Sequence, residues 1–71
     1  MMTESNPLSP AARFSRLFRK AGVFLAKNQM TEALAVLREG EALARDLEDA
    51  EKLILFREEI ARCRQALTSS S

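Results

Sequence analysis

Histidine, tryptophan and tyrosine are absent from this chain, and cysteine occurs once, at Cys63. Each absence closes off a class of protein. One cysteine makes no intramolecular disulfide, and with no histidine there is no ordinary zinc ligand set and no imidazole to act as a general base. A lone cysteine also fits a reducing compartment, so the expected location is the cytoplasm. The two glycines, Gly22 and Gly40, form no phosphate-cradling loop. No stretch approaches the roughly 20 apolar residues that span a bilayer, and the polar, proline-containing first ten residues do not read as a signal peptide. No enzyme activity, no metal and no cofactor is expected.

What is present is a chain of 71 residues, 46% hydrophobic and 30% charged, rich in alanine, leucine, arginine and glutamate. That mixture favours helix along nearly its whole length. A chain this short buries only about 60% of its unfolded surface, so its core is marginal. Without a metal or a disulfide, a partner chain or self-association is the remaining way to stabilise it.

The apolar residues recur with the period of helices. Residues 1–9 read as a flexible arm, with Ser9 as N-cap and Pro10 at the first helical position. A first helix is expected from Pro10 or Ala11 to Lys27, with Phe14, Leu17, Phe18, Ala21, Phe24 and Leu25 on one stripe. Asn28 and Gln29 break it, Asn28 as a left-handed C-cap. A second helix begins near Met30 or Thr31, with Thr31 as its candidate N-cap. Its apolar positions are Met30, Ala33, Leu34, Leu37, Ala44 and Leu47, with Val36, Gly40 and Leu43 on a second stripe. So wide a face suits a helix touched by two neighbours. Leu47–Glu48–Asp49 is read as a tight turn, with Asp46 or Asp49 as cap. A third helix follows from Ala50 to Leu67 on the stripe Leu53, Phe56, Ile60, Cys63 and Leu67, broadened by Ile54 and Leu55. The alternative is one continuous helix from Met30 to Leu67. The favoured architecture is all-α: a small antiparallel bundle of three helices over residues 10–67, with 68–71 as a disordered tail.

Several residues invite a chemical reading. Cys63 lies on an apolar stripe with no base to activate it, so it reads as a small buried hydrophobe. The carboxylates Glu48, Asp49 and Glu51, and Glu58 with Glu59, lack a loop that would gather them around a cation, and read as solvated helix faces with i,i+4 pairs such as Glu41–Arg45 and Glu58–Arg62. Charge is segregated: residues 1–31 hold five basic side chains against one acid, and residues 32–71 six against nine. Arg13, Arg16, Arg19 and Lys20 make a basic face on the first helix. Such a face suits nucleic acid or a membrane surface, or it packs beside the acidic helices of the same molecule. The overall pI near 7.9 lies below that of a dedicated nucleic-acid binder.

The hairpin built on Leu17, Ala21, Phe24, Ala33, Leu37 and Gly40 resembles a single tetratricopeptide repeat over about residues 14–45, departing from its pattern at Lys20 and Arg45. Over residues 14–67 the chain also resembles the microtubule-interacting and transport domain, a three-helix module. That likeness rests on Ala21, on Glu32–Ala33–Leu34 after the break, and on Phe56–Arg57, Ile60, Cys63 and Ala66–Leu67. It departs at Met30 and Leu37, where that family carries tyrosines. Both resemblances imply a groove between helices that holds a short partner segment. The expected function is therefore a small interaction module, an adaptor or chaperone-like subunit. Leu34, Leu37, Phe56, Ile60, Cys63 and Leu67 would contact a helical or extended partner, and Glu58 and Glu59 would pair its basic residues. The alternatives are a structural homo-oligomer paired along the third helix, and a nucleic-acid-binding regulator using Arg13, Arg16, Arg19 and Lys20.

Overall fold

In a computed structural model, residues 9–69 are described. They form α1 (Pro10–Ala26), α2 (Met30–Asp46) and α3 (Ala50–Ser69). The arm expected over residues 1–9 falls outside the described residues except for Ser9, and so does the last part of the expected tail. Thr68 and Ser69 complete α3. The helices pack as an all-α antiparallel bundle, and the continuous second helix is excluded by a turn at residues 47–49.

The helix starts follow local chemistry. Ser9 accepts a hydrogen bond on Oγ from the Ala12 N–H at 3.2 Å, and Pro10 follows it at the first helical position. Asp49 Oδ1 accepts from the Lys52 N–H at 3.1 Å and so caps α3. Thr31 does not cap α2. The N-cap is Gln29, which makes no side-chain cap bond, and Thr31 lies inside the first turn.

The two junctions are built alike. The Gln29 N–H donates to the Phe24 carbonyl at 2.8 Å and the Asn28 N–H to the Leu25 carbonyl at 3.0 Å. Twenty residues on, the Asp49 N–H donates to the Ala44 carbonyl at 2.9 Å and the Glu48 N–H to the Arg45 carbonyl at 3.1 Å. Both are Schellman motifs, which satisfy the last carbonyls of a helix and turn the chain through a left-handed residue. Those residues are Asn28 (φ 62°) and Glu48 (φ 55°). Asparagine tolerates that conformation; glutamate does so at a cost of roughly 1–2 kcal/mol.

α2 is the centre of the bundle. Ala33, Val36, Leu37, Gly40 and Ala44 are all buried along it, which is the double-width face that the sequence predicts for a helix with two neighbours. α1 and α3 each pack on α2, and no Cα atom of one lies within 8 Å of a Cα atom of the other. Large side chains close that gap. The Phe18 and Phe56 rings stack with centroids 4.3 Å apart and planes 10° from parallel. Phe14 leans on Phe56 at 5.7 Å, and the Lys52 ammonium lies 5.7 Å from the centre of the Phe14 ring. Phe56 is fully buried, a burial that stabilises by about 1.5–3 kcal/mol. It sits against the backbone of Gly40: a Cβ there would lie 2.1 Å from Phe56 Cε1. The missing side chain of Gly40 is the seat for the ring that joins the outer helices.

Candidate functional site

The residues expected to hold a partner divide sharply in this fold. Leu37, Phe56, Ile60 and Cys63 are core residues of the bundle. Their stripe on α3 is used within the chain, against α2, and does not form a surface seam. Leu34 is half-buried and packed on that core. Leu67 alone of the apolar set is exposed, at 40%. The sequence shows which positions are apolar; only the packing shows that α2 covers most of them. Ile54 and Leu55 do not broaden the α3 stripe, because both face outward, at 56% and 45% exposure. Val23 and Leu47 are the other exposed large apolar residues among those described.

Leu67 borders an open cleft of about 530 Å³ where the start of α2 meets the end of α3. Met30 and Ala66 supply its apolar part, and Asn28, Gln29, Thr31 and Glu32 its polar rim. The α2 start that forms one wall has no side-chain cap. The cleft is a shallow apolar strip with polar edges, suited to a side chain or two of a docking segment and too open to isolate a reaction from water.

The charged residues settle into two groups. Glu41 binds Arg57 across the α2–α3 interface at 3.0 Å and Arg45 within α2 at 3.4 Å. The expected Glu58–Arg62 pair does not form, because Arg62 reaches back one turn to Glu59 instead. Glu58 is left exposed on the outside of α3. Arg13, Arg16, Arg19 and Lys20 are all exposed on α1, and the ion pairs among the described residues lie on α2 and α3. The basic face is therefore not neutralised by the acids of the neighbouring helix. Lys20 borders a groove with Glu32 and Glu39 of α2 without closing to ion-pair distance.

Cys63 is buried and its thiol is pushed above its ordinary pKa, first by burial and second by the Glu59 carboxylate. Both effects disfavour the thiolate, the form that does nucleophilic or ligand chemistry. Among the described residues no three histidine, cysteine or carboxylate side chains gather as a metal site would require. Among the described residues no side-chain nitrogen or oxygen is buried without a partner. No helix among them is long and apolar enough to cross a membrane.

These features define a three-helix all-α module. No protein-family model, curated protein or solved structure matches this chain, so its likeness to tetratricopeptide and microtubule-interacting modules stays at the level of the helical hairpin.

Proposed function

We propose that this protein is a small helical interaction module that docks a helical or extended segment of a partner protein. The observation that carries this reading is the cleft at the open end of α2 and α3, with Leu67 exposed beside Met30 and Ala66. An apolar strip with a polar rim is the usual anatomy of a docking surface, and short amphipathic segments bind such strips through one or two anchoring side chains. The raised pKa of Cys63 adds weight, since it leaves the chain's one thiol poorly suited to chemistry. Of the residues expected to line the groove, Leu67 and the half-buried Leu34 remain on or near the surface, and Glu58 is exposed on α3 and available to a basic residue of a partner, while Glu59 is paired with Arg62.

The test is a comparison of two baits. Wild-type protein and the Leu67→Glu variant, shown by circular dichroism to be equally helical, are used to recover partners from the host. The reading expects a partner that binds the wild type and is lost from the variant. Identical recoveries with both baits refute the cleft as the docking site.

A further inference from the structure

The charge on α1 is of one sign and lies on one side. Arg13, Arg16, Arg19 and Lys20 on the helix and Lys27 at its C-cap are all exposed, and the helix holds no acid. At 100° per residue these five bases fall within about 120° of arc, over a length of about 21 Å. Ala12 and Val23 are the other side chains in that arc, and Val23, near its middle, is 49% exposed. Phe14, Leu17, Phe18, Ala21, Phe24 and Leu25 fill a second arc of the same width on the inward side, where they form or pack against the core. The ion pairs among the described residues use other side chains, Glu41 with Arg45 and Arg57, and Glu59 with Arg62.

We propose that this face of α1 docks on an anionic membrane surface, with the helix lying along the bilayer and the core turned away from it. The shape and extent of the charge choose among the candidate anions. Single-stranded nucleic acid needs aromatic rings on which its bases stack, and the arc carries none. A duplex encloses a helix in a groove about 12 Å wide, with a wall of phosphates on each side. One wall would meet the uncharged Ser15, Gly22 and Ala26. The other would meet the carboxylates of Glu32 and Glu39, which border Lys20 from α2. An acidic helix of another protein is itself convex. Laid alongside α1, it reaches the row Arg16, Lys20 and Lys27 and leaves Arg13 and Arg19 at its margins. A headgroup layer is flat and soft, and admits a helix face to a depth of about 5–10 Å, so all five bases reach lipid phosphates and carboxylates at once. Val23 enters the layer among them, beside the apolar stems of the arginines. The contact is peripheral, because the phenylalanines that an inserting helix would use are spent on the core. Its strength is electrostatic and falls as salt rises.

The arc shares no residue with the Leu67 cleft, so this proposal and the docking of a partner segment fail independently. The test is co-sedimentation of the full chain with vesicles of phosphatidylcholine, with and without phosphatidylserine, at low and at high salt. Two double variants of equal net charge accompany the wild type, each checked for unchanged helicity by circular dichroism. One is Arg16→Gln with Arg19→Gln on the arc. The other is Arg38→Gln with Arg64→Gln, at exposed positions of α2 and α3. The wild type should bind the phosphatidylserine vesicles at low salt, leave them at high salt, and ignore phosphatidylcholine alone. A basic residue at an anionic surface contributes about fivefold in partition, so the arc variant should bind about 25-fold more weakly. The Arg38 and Arg64 variant should bind nearly as the wild type does. Absence of binding to phosphatidylserine vesicles at low salt overturns the proposal. So does equal weakening by the two variants, which would reduce the effect to net charge. Tighter binding to a DNA duplex or to a polyglutamate peptide, at equal concentration of negative charge, overturns it in favour of that partner.

Discussion

Replacing Gly40 with alanine should destabilise the protein, against the intrinsic preference of a helix for alanine. Gly40 lies in the middle of α2, where Gly→Ala on propensity alone stabilises by about 1 kcal/mol. The new Cβ, however, would lie 2.1, 2.3 and 2.6 Å from three atoms of the Phe56 ring. Ordinary carbon contacts need about 3.5–4.0 Å, so the ring must move by more than an ångström. It has little room to do so, being fully buried with Phe18 stacked at 4.3 Å and Phe14 beside it. Overpacking of a filled core costs about 1–3 kcal/mol, occasionally more, and so severe an overlap belongs at the upper end of that range. Set against the propensity gain, the net loss is about 2 kcal/mol. For a domain of this size that lowers Tm by roughly 8–16 °C. Gly22 is the internal control, since it is also within a helix but exposed, with nothing within 4 Å of an added Cβ. Gly22→Ala should raise Tm by roughly 4–8 °C. Thermal melts by circular dichroism read both. If Gly40→Ala stabilises as Gly22→Ala does, the ring is not seated on α2 and the packing described for α3 is wrong. Phe56→Leu in the Gly40→Ala background should recover part of the loss, a coupling that two independent sites would not show.

Other variants probe the remaining links. Phe56→Ala removes the ring that joins α1 to α3, and a loss of about 3–5 kcal/mol should leave so small a domain largely unfolded by circular dichroism. Glu48→Gly relieves a left-handed glutamate and should stabilise by about 0.5–1 kcal/mol after the added entropy of glycine, measured by urea titration; Asn28→Gly should gain less, because asparagine tolerates the same conformation. Asp49→Ala removes the α3 cap and should cost about 1 kcal/mol, in the same assay. Cys63 should react slowly with iodoacetamide in the folded protein and quickly in urea. Its folded pKa is raised from 9.0, so the unfolded chain ionises first. Stability should be highest below the unfolded value and fall as pH rises above it through the folded value, a dependence that Cys63→Ala should remove.

The helices were legible because their signals are local. Ser9–Pro10 and Asp49 mark starts by capping chemistry, and the double stripe of α2 announced two neighbours before either was placed. The start of α2 at Met30 was legible, but its cap was misread at Thr31, because the Schellman turn through Asn28 places Gln29 at the N-cap and Thr31 inside the first turn. The Gly40–Phe56 contact was not legible. It depends on the register of α3 against α2, and the fifteen residues between the partners carry no mark of that register. The same ambiguity governed the candidate site. Leu37, Ile60 and Cys63 look identical in sequence whether they line an open groove or meet a helix of their own chain, and the burial in the fold decides for the latter. The basic face of α1 was visible as composition, while its lack of acidic partners on α2 required the coordinates.

α3 closes onto α2 within a single chain, so the Phe56 stripe is core and the proposed docking surface lies at the Leu67 cleft instead. Nuclear Overhauser contacts in dilute, isotopically labelled protein test this most directly. Strong contacts from the Phe56 ring to the Gly40 α-protons and to the Phe18 ring are predicted. A helical chain whose Phe56 ring shows neither contact until another protein is added would contradict it, and would return the stripe to the partner.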